Sequence, residues 1–288
     1  MKKVIYAVSL FGLCLITQTA TAQFSRYYYN KHEVGVSVQG GYLGIQNSLP
    51  YKAKSDGGMS YGAGFHYDYH LSRKWSVGIG GIYTMNTIKS EMSRLEGSLP
   101  VTDWEGDNFI FRYKASSVNE KITLNQLNIP ITVGYTLENN LYFRTGVQIG
   151  LSMTSEAETT FNQLQTEGYF PQYELVLPYP EFGGLGSFDS PKEKKDIDVD
   201  TRIAWVGEVG YKYELAERQN LYFGLYFDLG LNDIKKSDSK ADRSALIGYK
   251  PDAVKGEALV QRNAVYDNAA YKLKTYAVGI KIKYGFGL

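Results

Sequence analysis

Phe65-His66-Tyr67-Asp68-Tyr69-His70-Leu71 runs into the short polar turn Ser72-Arg73-Lys74 and leaves it as Trp75-Ser76-Val77-Gly78-Ile79. On both sides of the turn, bulky apolar or aromatic residues alternate with small or polar ones, which is the period of a β-strand with two unlike faces. The unit returns as Val133-Gly134-Tyr135-Thr136-Leu137, Glu138-Asn139-Asn140, Leu141-Tyr142-Phe143. It returns again as Val209-Gly210-Tyr211-Lys212-Tyr213, a turn ending Arg218-Gln219-Asn220, and Leu221-Tyr222-Phe223. Long polar stretches separate these tight turns. Short turns at one end and long loops at the other, joined by strands of period two, predict an all-β fold. The expected architecture is an eight-stranded antiparallel up-and-down transmembrane β-barrel with long outer loops.

The eight strands are expected near 32–46, 58–72, 75–92, 119–137, 141–158, 199–215, 221–234 and 269–288. Leu141, Phe143, Thr145, Val147, Ile149, Leu151 and Met153 share one face of the fifth; Tyr142, Arg144, Gly146, Gln148, Gly150 and Ser152 share the other. The seventh repeats the pattern from Leu221 to Asn232. A soluble sandwich also alternates, so direction has to come from the polar face. That face carries mainly Gly, Ser, Thr, Gln and Asn with a few charges, which suits a crowded lumen better than a solvated wall. A Lys or Arg at the lipid midplane costs about 2–4 kcal/mol, and the apolar face is nearly free of charge. Aromatic residues gather beside the short turns (Tyr67, Trp75, Phe143, Tyr213, Phe223) and again six to eight residues further on (Tyr42, Tyr61, Tyr83, Trp205, Tyr276). Eight tilted strand residues climb roughly 20 Å, close to the apolar height of an outer membrane.

The N-terminus carries an address. Lys2 and Lys3 precede an apolar run from Val4 to Ile16, and Ala20-Thr21-Ala22 before Gln23 fits a cleavage site. Residues 1–22 are therefore expected to be a secretory signal and 23–288 the mature barrel. Cys14, the sole cysteine, lies inside the apolar run with Leu13 before it, a poor lipidation site. The mature chain then has no disulfide to lean on. Cleaving Lys2 and Lys3 away takes the formal charge from +1 to −1, so there is no basic field for nucleic acid. The expected location is the outer membrane of a Gram-negative bacterium, with outer-membrane lipid as the first partner.

Leu124-Asn125-Gln126-Leu127-Asn128-Ile129-Pro130-Ile131-Thr132-Val133-Gly134-Tyr135 resembles the fourth strand of the PorT-like outer-membrane β-barrel family common in Bacteroidota. The resemblance extends loosely over the mature chain through the hairpin order and the closing strand Tyr276 to Leu288. It implies an integral barrel and little about activity, since relatives include secretion components. The closing strand ends Phe286-Gly287-Leu288 where this class usually ends on an aromatic residue. No peptidoglycan-binding domain of the OmpA-like kind is expected after it. Pro130 needs a bulge or an unpaired position, and the apolar parity shifts between Leu124 and Leu127, where a bulge is expected.

The candidate chemistry is sparse. His66, Asp68 and His70 share a strand face, but residues i and i+4 of a strand lie about 13 Å apart, too far for one metal ion. His32 points the other way. No Ser-His-acid grouping is visible, so no catalytic residue, metal or cofactor is expected. Arg144, Glu208, Lys212, Asp228 and Lys281 are expected to form a structural ionic network in the lumen, Lys281 pairing with Asp228, and Arg144 or Lys212 compensating Glu208. Eight strands leave an interior that side chains can fill. Long outer loops are expected near 47–57, 93–118, 159–198 and 235–268; within the third, Tyr169 to Gly184 is rich in rings, and Phe170, Tyr173, Tyr179 and Phe182 are candidates for partner contact, the alternative being a packed cap. The expected role is a non-enzymatic structural or interaction subunit, which the resemblance places in a secretion or surface assembly. A small-solute channel is the alternative, and a lipid-modifying enzyme a more distant one.

Overall fold

The computed structural model describes residues 30–46, 54–236, 246–252, 257–262 and 272–288. The leader expected at 1–22 lies outside these residues, as do parts of the first and fourth loops and the start of the last strand.

Long strands dominate the chain: β1 (His32–Ile45), β2 (Lys54–His70) and β3 (Trp75–Met92) come first. The short β4 (Leu95–Thr102) and β5 (Asn108–Ala115) lead to β6 (Ser117–Thr136) and β7 (Leu141–Asn162). Short strands β8 (Leu164–Phe170), β9 (Leu175–Leu177), β10 (Gly186–Phe188) and β11 (Lys192–Asp196) follow, then β12 (Arg202–Ala216) and β13 (Gln219–Gly230). The hairpin β14 (Ile247–Asp252) and β15 (Glu257–Gln261) precedes β16 (Thr275–Gly287). Among the described residues there is no α-helix, only short 3-10 turns at Pro171–Tyr173 and Glu181–Gly183.

All pairings of the long strands are antiparallel: β1 with β2 and β16, β2 with β3, β3 with β6 and β6 with β7. Likewise β7 pairs with β12, β12 with β13 and β13 with β16. β7 meets β12 along 141–150 and β11 along 156–160, so β11 continues the course of β12 past a break. Tight turns join β2 to β3, β6 to β7 and β12 to β13. Ser72 Oγ accepts the backbone N–H of Trp75 (3.0 Å) in the first. Asn140 (φ 65°) closes the second; asparagine tolerates the left-handed region better than most residues.

The wall changes character with height. On β3, Trp75, Val77, Ile79, Tyr83 and Met85 point outward, whereas further from the turn Lys89 and Glu91 do so while Ile88 and Met92 are buried inside. β7 behaves alike: Phe143, Val147, Ile149 and Met153 are exposed, and beyond them Ala157 and Phe161 are buried inside. Near the turns the barrel is therefore apolar outside and polar inside, as lipid requires; at the far end it is inverted, as water requires. Leu225, 59% exposed, lies between Phe223 and Phe227 in the apolar band. Leu225→Arg is expected to destabilise the folded barrel by about 2–4 kcal/mol, read from urea titration in lipid bilayers.

The bulge expected between Leu124 and Leu127 is present in the β6–β7 ladder but on the partner strand, and the inversion accounts for the change in apolar parity. Ile122 and Leu124 turn inward and Leu127 outward with no bulge in β6 itself; the register shift lies in β7, where Asn125 pairs with Thr154 and Gln126 with Ser152, leaving Met153 over. Pro130 sits where the β3–β6 register is interrupted between the pairs Ile79–Ile131 and Ile82–Asn128, a stretch that can spare an N–H.

The stretches expected as the second and third loops are largely ordered strands. β4, β5, β8, β9 and β10 form a separate sheet standing on the far end of the barrel. One core of Met92, Leu95, Phe109, Phe111, Ala115, Val118, Phe161, Leu164, Phe170 and Ile247 ties this cap to the strands below.

Candidate functional site

The lumen nearest the turns is filled by a neutralised ionic layer. Arg144 donates to Asp68 from Nη1 (2.7 Å) and Nη2 (3.1 Å), one to each carboxylate oxygen. Lys283 Nζ lies 2.5 Å from Asp68 Oδ2 and 2.9 Å from Glu33 Oε1, and 4.0 Å above the ring centre of Tyr222. Glu33 Oε2 also accepts from Tyr222 Oη (2.9 Å) and Asn220 Nδ2 (2.7 Å). Lys281 Nζ approaches Glu208 Oε2 at 3.2 Å, and Tyr142 Oη donates to the other oxygen of that carboxylate at 2.5 Å. Further in, Arg202 pairs with Asp228 and donates to Thr275 Oγ1 (3.0 Å), and Gln148 Nε2 donates to Asp228 (2.8 Å). Glu33, Asp68, Glu208 and Asp228 thus face Arg144, Arg202, Lys281 and Lys283, charge for charge, which is the condition for holding ions away from water.

Glycines make room for this layer. A Cβ on Gly78 would stand 2.2 Å from Asp68 Oδ1, and one on Gly224 would stand 2.4 Å from Tyr142 Oη and 3.1 Å from Glu208.

Of the five residues expected in the network, Arg144, Glu208, Asp228 and Lys281 join it with changed partners. Lys281 pairs with Glu208, and Asp228 with Arg202. Lys281 lies opposite Gly224, four residues along β13 from Asp228, a separation of about 13 Å along a strand. Counting heights from the turns neglects the stagger between neighbouring strands. Arg144 pairs with Asp68. Lys212 stays at the rim, 3.8 Å from Glu214. Glu33, Asp68, Arg202 and Lys283 were absent from the expected network, although Asp68 was placed on the inward face with His66 and His70, and Glu33 and Lys283 share the inward parity of Ser37 and Lys281 on their own strands. His66 Nε2 lies 2.6 Å from Ser37 Oγ in the wall of the same layer.

Above the ions the interior turns apolar: Leu43, Ile45, Ile88, Ile122, Leu124, Ala157, Ile197, Ile234, Leu273 and Ala277 pack into one cluster across the bore. Pockets of about 40 Å³ beside Arg144 and Gln148 and about 20 Å³ beside Asn86 and Gln126 have room for one to a few water molecules. A wider cup of about 500 Å³ opens at the turn end, between Arg73, Lys212 and Asn220.

In the cap, Phe170 is buried and stacks on Phe109 (4.7 Å between centroids), so it belongs to the core and is withdrawn from the candidate contact surface. Tyr173, Tyr179 and Phe182 are 62%, 65% and 66% exposed. Trp104, contributed by the β4–β5 turn, stacks on Phe182 at 6.4 Å, and Tyr173 Oη reaches Asp107 in that turn at 3.5 Å.

A wall apolar over one band, an interior lined by paired ions at that height and a water-facing cap define an integral outer-membrane β-barrel protein. The chain belongs to the family described as outer membrane protein beta-barrel domain, which it matches over residues 19–236. The protein resides in the outer membrane of a Gram-negative bacterium. No curated protein matches the chain. Among solved structures, it is similar to Ail, the attachment invasion locus protein of Yersinia pestis, at 10% identity, covering 89% of this chain and 99% of that one with a TM-score of 0.33. It is similar to OprG from Pseudomonas aeruginosa at 12% identity, 86% and 95% coverage and TM-score 0.32. The outer membrane protease OmpT from Escherichia coli follows at 11% identity, 93% and 100% coverage and TM-score 0.31. Likeness of this degree says nothing of activity.

At the turn-end rim Lys74 Nζ donates to Glu138 Oε1 at 2.9 Å. That hydrogen bond, and then the attraction of the charges, pushes Lys74 up and holds Glu138 below the usual carboxylate range. A depressed carboxylate adds stability only above its unfolded pKa and loses it on acidification. Both groups lie in water, where screening leaves such pairs weak. Glu138→Gln is expected to leave the urea midpoint at neutral pH unchanged.

Proposed function

We propose that the long strands close an eight-stranded barrel that does not conduct, and that the protein is a non-enzymatic structural or interaction subunit displaying its cap to a protein partner outside the cell. The observation that carries this reading is the stacking of a neutral ionic layer beneath an apolar plug, with the ordered cap above them. A solute would have to break paired charges and then pass a cluster of packed apolar side chains. The ring of pairings from β1 through β16 supports closure. The resemblance of Leu124 to Tyr135 to PorT-like barrels supports a place in a secretion or surface assembly.

Photocrosslinkers placed at Tyr173 and Tyr179 in living cells test this. They are expected to trap one defined protein adduct, with none from Gln148 in the lumen or Leu225 in the lipid band. Adducts to lipid alone, or the same pattern from all four positions, would overturn the interaction reading.

A further inference from the structure

The exposed rings of the cap carry a consistent charge. Segments 103–107 and 171–184 contain Asp103, Glu105, Asp107, Glu174 and Glu181 and no Lys, Arg or His. Trp104–Phe182 stacking and the Tyr173–Asp107 contact join the two segments into one surface. Asp103 is committed to the turn, where Oδ1 accepts the backbone N–H groups of Glu105 and Asp107, each at 2.9 Å. Among the described residues none of the five carboxylates stands in an ion pair. Leu175 and Val176, exposed on the edge strand β9, extend the apolar area beside Glu174.

We infer that this surface docks a cationic, amphipathic polypeptide segment, its arginines or lysines meeting the carboxylates and its apolar side chains covering the rings. The inference rests on the interaction reading above and names the partner's chemistry. An anionic lipid surface would be repelled by the carboxylates, and an uncharged apolar partner would have to strip water from them without compensation. The protein holds a small example of the proposed contact in the same sheet: Arg112 Cζ lies 4.6 Å over the Tyr169 ring while its Nη1 reaches Glu167 Oε1 at 3.3 Å.

The test uses the whole protein in nanodiscs of zwitterionic lipid, with empty discs as reference. The probes are a labelled dodecapeptide alternating arginine and leucine and its glutamate-leucine counterpart. The arginine probe is expected to bind at least tenfold tighter than the glutamate probe, weakening as salt rises. Glu105→Gln, Glu174→Gln and Glu181→Gln together should weaken it at least tenfold and flatten the salt dependence. Tyr173→Ser, Tyr179→Ser and Phe182→Ser together should weaken it comparably. All six positions are exposed, and retained heat-modifiability in detergent checks that each variant is folded. If the glutamine set binds within threefold of the native protein while the serine set does not, the surface is a contact site and the charge inference fails. If both sets bind as the native protein does, the surface is not the contact site at all.

Discussion

Lys283→Met is expected to destabilise the folded barrel by about 3–5 kcal/mol, the cost of breaking a buried ion pair from one side. The ammonium bridges two carboxylates, Glu33 and Asp68, and its side chain is 3% exposed. Asp68 keeps Arg144 after the substitution, while Glu33 loses its closest cation and retains neutral donors from Asn220 and Tyr222. Adding Glu33→Gln to Lys283→Met should therefore recover part of the loss, because the amide asks for no counter-charge. Urea titration of the refolded protein in lipid bilayers reads both variants. Strictly additive losses would show that the two groups are not coupled and that the layer is not the unit described here.

Phe111→Ala is expected to cost about 3–5 kcal/mol, of the size found for large-to-small changes in well-packed cores. Phe111 is fully buried in the cap, 5.3 Å from the Tyr249 ring, among residues drawn from β4, β5, β7, β8 and the β14–β15 hairpin. The loss should fall on the cap, since the wall strands keep their own ladders. Externally added protease is expected to cut the variant within 93–118 or 159–190 in intact cells, leaving a heat-modifiable core. Resistance equal to that of the native protein would mean that the cap does not depend on this core.

The faces of β7 and β13 were legible because each alternates without interruption from Leu141 to Met153 and from Leu221 to Leu231, and lipid tolerates no charge on one of those faces. The cap was not. Asn108-Phe109-Ile110-Phe111-Arg112-Tyr113-Lys114-Ala115 alternates as clearly as any wall strand, but a reading that assigns strands to the membrane leaves such a segment to a loop. The same assumption turned the move of apolar residues from the outside to the inside of β6 into an expected bulge. Partners within the lumen were illegible for another reason: parity says that Lys281 and Asp228 point inward, while stagger between strands decides that Lys281 meets Glu208. Phe170 and Phe182 look alike in sequence, and only the fold sends one beneath Phe109 and the other out to Trp104.

A bore sealed by paired ions below and an apolar plug above carries no steady current. Recording current across a planar bilayer containing the purified, refolded protein tests it most directly. The expected result is no steady unitary conductance from the native protein. Steady, reproducible unitary conductance from the native protein would contradict it.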